Sequence, residues 1–352
     1  MRDAMRGWIR RGVLAFACAY PLGLLGVIAL LRLVGEGSWV TGTALYLPRI
    51  VFGAPLVVCV PALLWLRKPK LLWTQLLALW LLLFPLMGLV LPGLSTQPDP
   101  SQPRVRVLSY NVNSGRAGAE TLAARVLSKA PDVVLFQELL DNEAAVEAEL
   151  RKHFPWVRVD GQFAIASRLP LLAAEVPRRL LYRGRSHSAH FMQYTVSTPF
   201  GPLGIYNVHF LSPRRSFYAL RGIGFRSSWR EGSLWRGGHA ESVIRANYDL
   251  RELQLKAAVA ALRADPSPAV LCGDTNLTTL SPLLTHFDGL QDGFVRASAG
   301  FGYSFPSEQP WMRLDRIYAN DQLEFERFET NCELDSDHQC VVADLTLRAA
   351  KP

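Results

Sequence analysis

The stretch Val270-Leu271-Cys272-Gly273-Asp274-Thr275-Asn276-Leu277 holds the pattern best suited to chemistry. Three apolar residues run into a glycine, then a carboxylate and a carboxamide follow with one residue between them. A buried strand stopping at Gly273 leaves Asp274 and Asn276 at its carboxyl-terminal edge. If extended geometry persists there, the two side chains point the same way. Two short oxygen-bearing groups aimed at one point suit a phosphate, a hard metal ion or an attacking water. The ordinary alternative is an Asx-turn closing the strand. The same habit recurs along the chain. Apolar runs stop at Asn111, Glu138 and His209, Asp315 interrupts Arg-Leu-Asp-Arg-Ile-Tyr, and Ser336-Asp337-His338 precedes the final strand. Each alone reads as a turn residue, a helix-entry charge, a satisfied histidine, an ion-pair partner of Arg313 or Arg316, or a hairpin corner. Together they point to one site.

Positioning such residues takes strands that end in register. The pattern predicts strands over 105–110, 133–136, 163–166, 171–176, 189–197, 203–208, 269–272, 314–319, 325–332 and 341–347. Helices are predicted over 120–130, 142–154 and 247–264, the last with Asn247 as its N-cap and Asp265-Pro266 as its stop. Many strands with a few interleaved helices imply two packed sheets covered by helices. No internal repeat is visible.

The 352 residues exceed a typical single domain, and the 49% apolar content is concentrated in the first hundred residues. Segments 13–33 and 71–91 are each long enough to cross a bilayer, and 48–66, with Pro55 and Pro61, reads as a third, kinked crossing. Residues 1–94 are therefore a membrane anchor, 95–104 a polar, proline-rich linker, and 105–348 the catalytic domain. Arg2, Arg6, Arg10 and Arg11 precede the first span, and Arg67, Lys68 and Lys70 separate the last two. The positive-inside rule then places the N-terminus in the cytoplasm and the catalytic domain outside it, in a multi-pass membrane protein. If the middle segment only re-enters, the domain falls on the other side. The five cysteines lack metal-ligand spacing, which excludes a cysteine-held metal. Cys332 and Cys340 flank a polar turn and could pair in an oxidising compartment.

The ordered set Leu108-Ser109-Tyr110-Asn111-Val112-Asn113, Phe136-Gln137-Glu138, Ala164-Ile165-Ala166-Ser167-Arg168-Leu169-Pro170, Asn207-Val208-His209, Gly273-Asp274-Thr275-Asn276, Leu314-Asp315-Arg316-Ile317 and Ser336-Asp337-His338 resembles the endonuclease/exonuclease/phosphatase superfamily. The family includes deoxyribonucleases, neutral sphingomyelinases and inositol polyphosphate 5-phosphatases. The resemblance implies a four-layer α/β sandwich hydrolysing a phosphate ester with a divalent cation, magnesium or alternatively manganese. By motif, Glu138 resembles the principal metal ligand, with Asn111 and Asp337 close to the metal. Asp274 and Asn276 resemble the pair orienting the attacking water and a phosphate oxygen. His338 resembles the histidine at the scissile phosphate, Asp315 the carboxylate fixing its tautomer, and His209 the histidine that protonates the leaving oxygen. Two departures stand out: Asn113 where nucleases of the family often carry Asp, and Thr275 where Phe is commoner. No carboxylate partner for His209 can be named.

The net charge of +8 comes largely from arginine and favours an anionic partner. Two arginine-rich stretches lie outside the common core, 178–190 and a basic segment within 211–247. The second mixes Arg214, Arg215, Arg221, Arg226, Arg230 and Arg236 with Phe217, Tyr218, Phe225, Trp229 and Trp235. Arginine forks suit phosphate oxygens and aromatics suit a membrane interface, so Arg214, Arg215 and Arg221 are candidate substrate-binding residues. The expected partner is a membrane lipid or lipid-linked phosphate. The chain also resembles membrane-anchored bacterial family members associated with teicoplanin resistance, and this resemblance implies that the membrane is a bacterial-type plasma membrane. A surface nuclease and a non-catalytic tethered binding module are the alternatives. Nothing in the sequence points to a protein partner.

Overall fold

A computed structural model describes residues 2–93, 102–214, 216, 217, 230, 239–330 and 335–348. The chain divides into two compact units, Met1–Val90 with Thr279–Pro282, and Leu91–Thr278 with Leu283–Pro352.

The first unit is helical: α1 (Arg2–Leu33), α2 (Trp39–Leu45), α3 (Ala54–Trp65) and α4 (Leu72–Leu81). Among the described residues, two stretches are long and apolar enough to cross a membrane, Gly7–Leu33 and Pro69–Leu86. The expected middle span is not one straight helix. Trp39–Leu45 and Arg49–Trp65 are bent by 95° at their break, and form a third crossing only if the pair spans as one. Pro48 supplies the reason, since it removes a backbone donor and drives Leu47 away from helical geometry. Pro21 interrupts α1 differently. A proline there deprives the Ala17 carbonyl, four residues earlier, of its helical donor. Gln75 Nε2 from α4 donates to that carbonyl at 2.8 Å and Thr74 Oγ1 lies at 3.3 Å. In hydrocarbon such a carbonyl needs a partner, and α4 provides it.

Among the described residues, the second unit holds fourteen strands. Sheet one has the order β13 (Leu323–Thr330), β14 (Val341–Leu347), β1 (Arg104–Asn111), β2 (Val133–Gln137), β4 (Phe163–Ser167), β3 (Trp156–Asp160). Sheet two has the order β11 (Gln291–Asp292), β12 (Asp315–Ala319), β10 (Ala269–Asp274), β9 (Gly201–His209), β8 (Phe191–Thr198), β5 (Leu171–Glu175). A separate hairpin joins β6 (Leu180–Tyr182) and β7 (Arg185–His187). Among the described residues, β1–β2 and β9–β10 are the pairs that run in parallel.

Period-two alternation assigns the faces. Leu108, Tyr110, Val134 and Phe136 pack against Leu122 and Val126 of α5 (Ala119–Ser128) and Val146 and Leu150 of α6 (Glu143–Leu150). Tyr206, Val208, Ala269 and Leu271 pack against Leu255, Ala258, Val259 and Leu262 of α7 (His239–Ala264). The intervening positions turn towards the opposite sheet. A short α8 (Gly293–Ala297) packs by β13. These are the helix, sheet, sheet and helix layers expected from the sequence. Between the sheets, Gln137 Nε2 donates to Asn207 Oδ1 at 2.7 Å and Asn207 Nδ2 donates to the Phe136 carbonyl at 3.0 Å. This polar bridge ties β2 to β9 immediately before Glu138 and His209.

The helix expected over 247–264 begins at His239, and Asn247 lies inside it rather than capping it. The Asn247 amide instead donates to the Ser212 carbonyl at 3.0 Å, a tertiary partner that its capping preference does not reveal. Strand β10 continues past Gly273 to Asp274. Gly273 has φ +143°, and a Cβ on it would lie 2.0 Å from the Val208 carbonyl oxygen. Gly273→Ala should therefore cost about 1–3 kcal/mol and displace Asp274. A thermal-denaturation scan showing an unchanged midpoint would contradict that placement.

Candidate active site

Strand register brings the polar residues together. Asp274 of β10 is paired with His209 of β9 on one side and with Asp315 of β12 on the other. One row across sheet two therefore carries a histidine and two carboxylates. In sheet one Asn111 is paired with Gln137, placing Glu138 just beyond that strand end.

The Asp274 carboxylate is the hub. Its Oδ2 accepts from Asn111 Nδ2 and from Asn276 Nδ2, each at 3.2 Å. His209 Nε2 lies 3.7 Å and His338 Nε2 3.6 Å from the same oxygen. Asp274 Oδ1 accepts from the Asn276 backbone N–H at 2.8 Å, the contact of an Asx-turn. The turn and the convergence, alternatives in the sequence, coexist. Strand geometry ends at Asp274, and Asn276, at φ +51°, returns its amide to Asp274 and to the Phe210 carbonyl. Two buried arginines brace this turn: Arg251 donates to the Asn276 carbonyl at 3.0 Å and Arg316 to the Leu277 carbonyl at 3.2 Å.

His338 Nδ1 meets Asp315 Oδ2 at 2.8 Å, and both residues are buried. Burial disfavours the imidazolium, but the negative charges of Asp315, Asp274 and Asp337 outweigh it and push the His338 pKa up to about 10. Ser304 Oγ accepts from the Leu314 and Asp315 N–H groups, steadying the carboxylate. Ser336 Oγ donates to the Asn111 carbonyl at 2.8 Å and docks the His338 loop on the end of β1. Cys340, two residues past His338, is disulfide-bonded, while Cys332 lies outside the described residues.

His209 Nδ1 lies 2.7 Å from Gln162 Oε1, so the partner that the sequence withheld is an amide, not a carboxylate. Its Nε2 faces Glu138 Oε1 at 3.3 Å. Glu138 itself takes a left-handed backbone, with φ +55°. Beside this cluster, Asn113, Arg116, Ser307, Glu308, Trp311, Asp335 and Asp337 line a cavity of about 540 Å³.

The donor chemistry fits a hard divalent cation. His209 Nε2 is buried with no hydrogen-bond partner, although two carboxylate oxygens approach it. Such a crowd of acceptors calls for positive charge. Among the described residues, Asp274, Asp315 and His338 form the group whose ligand atoms all lie within 4.8 Å of one another. Of the ligands expected from sequence, Asn111 touches Asp274, Glu138 touches His209, and Asp337 lines the cavity. Arg214 is exposed, and Arg215 and Arg221 lie outside the described residues. Sequence reasoning missed Gln162, Ser304 and Arg251, whose roles exist only through tertiary contact.

A family model described as Endonuclease/Exonuclease/phosphatase family matches residues 108–338. Among solved structures, an endonuclease/exonuclease/phosphatase from Beutenbergia cavernae is similar at 18% identity and TM-score 0.49, covering 70% of this chain and 72% of that one. A humanized D. rerio TDP2 is similar at 17% identity and TM-score 0.48, covering 69% and 99%. Staphylococcus aureus beta toxin is similar at 16% identity and TM-score 0.47, covering 68% and 99%. No curated protein matches.

The raised His338 pKa has a thermodynamic sign. Its ion pair contributes stability fully present below the unfolded histidine value of about 6.5 and lost as pH rises through about 10. In metal-free protein, the melting-temperature gap between wild type and His338→Gln should be widest near pH 6 and shrink towards pH 10. A gap that grows over that range would refute the pairing with Asp315.

Proposed function

Because the chain belongs to the Endonuclease/Exonuclease/phosphatase family, we propose that it is a membrane-anchored, divalent-metal-dependent phosphoester hydrolase. It acts from the extracytoplasmic side on a lipid-linked phosphate or diphosphate. The observation carrying the reading is the approach of two histidines to one carboxylate oxygen, Asp274 Oδ2, which asparagine amides hold in place.

Asn111, Glu138 and Asp337 would hold the cation, magnesium or alternatively manganese. When bound, it polarises a phosphoryl oxygen and lowers the pKa of water. The remaining work belongs to the protein. Asp274, fixed by Asn111 and Asn276, orients the attacking water and draws its proton. His338, charged through Asp315, binds a phosphoryl oxygen and stabilises the negative charge that builds there. His209 stands at the leaving oxygen, to which its imidazolium form delivers the Nε2 proton, leaving the neutral ring with its Nδ1 proton hydrogen-bonded to Gln162.

A lipid substrate is supported by the two membrane-length helices and by exposed arginines. Arg178, Arg179, Arg183 and Arg185 are exposed on and beside the β6–β7 hairpin. Arg214, Arg215 and Arg221 supply further guanidinium forks for an anionic headgroup. The linker 95–104 reaches at most about 35 Å when extended, which limits how far the domain ranges from a bilayer. The Cys340 disulfide supports an oxidising, extracytoplasmic compartment.

The full chain in mixed micelles with magnesium should release product from a panel of lipid phosphates, diphosphates and sphingomyelin. Chelation should abolish release, and His338→Ala should reduce it by roughly 100-fold or more. Equal release by wild type and variant would remove the proposed chemistry, and preferential cleavage of plasmid without detergent would make the protein a nuclease. Sidedness is tested separately by a reporter fused after Pro352 that works only in the cytoplasm. It should stay silent, and activity would reverse the topology.

A further inference from the structure

The β6–β7 hairpin forms a sheet of its own, and its sequence carries one sign of charge. Between Val176 and His190 there are four arginines, Arg178, Arg179, Arg183 and Arg185, and no acidic residue. All four are exposed. Arg183 and Gly184 make the turn, with φ +49° and +73°, the paired left-handed values of a tight two-residue hairpin. Strand alternation gives the hairpin two faces. Leu180 packs on the cluster that includes Leu255 and Ala258 of α7, and the Tyr182 hydroxyl donates to Asp249 of the same helix at 3.0 Å. The other face carries Leu181, which is 74% exposed and paired across the hairpin with Ser186. Arg179 Nε donates to Ser186 Oγ at 2.8 Å, which brings a guanidinium to the residue opposite that leucine.

We propose that this hairpin is a docking surface for an anionic lipid bilayer. The inference rests on the membrane-anchored reading and adds a second point of contact to it. An exposed aliphatic side chain gains by leaving water, and neighbouring arginines gain by meeting phosphates. A bilayer surface offers both at once, with Leu181 entering the acyl boundary and the guanidinium groups staying among the headgroups. Val176, 73% exposed just before the arginines, extends the aliphatic surface along the chain. Arg183 is partly engaged, 5.1 Å from the Tyr182 ring centroid and 3.8 Å from Asp249, yet its side chain is still 62% exposed. A nucleic-acid strand matches less well. Its bases stack on exposed aromatics, whereas the aromatic of this hairpin, Tyr182, turns towards α7.

The test replaces Leu181 with p-benzoylphenylalanine in the full chain, held in nanodiscs, irradiated and searched for lipid adducts by mass spectrometry. Discs containing about one-third phosphatidylglycerol should give roughly five-fold more adduct than discs of phosphatidylcholine alone. Raising the salt to about 0.5 M should remove most of that difference, because the attraction is screened. Arg178→Glu with Arg179→Glu, and separately Arg183→Glu with Arg185→Glu, should each lower the adduct towards the phosphatidylcholine level. The lipid and salt comparisons need no charge-reversed variant, so they decide the matter even where such a variant fails to fold. No adduct, or equal adduct in both kinds of disc, would overturn the proposal. Crosslinking to an added single-stranded oligonucleotide in place of lipid would overturn it too, in favour of a nucleic-acid surface. Irradiation requires no turnover, so an inactive protein in the substrate panel removes the hydrolase reading and leaves the adduct to judge the hairpin. A full chain that stays out of the discs would overturn the anchor and the hairpin together.

Discussion

Strand register is the constraint from which the site follows. His209, Asp274 and Asp315 occupy neighbouring strands at one level of sheet two. A slip of one residue in β10 would turn Asp274 towards α7 and leave the histidines without their shared carboxylate. Gly273 protects that register, because only a residue without a Cβ fits against the Val208 carbonyl. The Gln137–Asn207 bridge then fixes the level of sheet one against sheet two. The geometry of this row is a property of backbone pairing before it is a property of side chains.

The strand-end residues were legible in the sequence because two-residue periodicity and abrupt polar stops are local signals. Asn111, Glu138, His209, Asp274 and Asp315 could be singled out for that reason. Gln162 could not. It lies forty-seven positions from His209, in a hairpin turn whose composition suggests only a turn. Asn276 was legible as a type but not as a conformation, since its left-handed backbone depends on bonds to Phe210 and Asp274. Asn247 misled because one side chain serves equally as a helix cap and as a tertiary donor.

The helical unit teaches a related lesson. Hydropathy finds Gly7–Leu33 and Pro69–Leu86 because length and apolarity suffice. It does not find the relation between Pro21, the carbonyl of Ala17 and Gln75, in which a missing donor in one helix explains a polar residue in another. The bend between α2 and α3 was equally hidden, although Pro48 marks its position.

One consequence concerns how such a scaffold diversifies. The chain leaves sheet two at His209 and comes back through α7 to β10, and most of the connection between His209 and α7 lies outside the described residues. Loop-closure entropy grows slowly with length, by about 0.6 kcal/mol for each doubling of a connection. Apart from Phe210 at its start, whose carbonyl accepts from Asn276, the hydrogen bonds around the Asp274 carboxylate come from residues outside that connection. A connection of that kind can change in length and composition while the row of His209, Asp274 and Asp315 keeps its place.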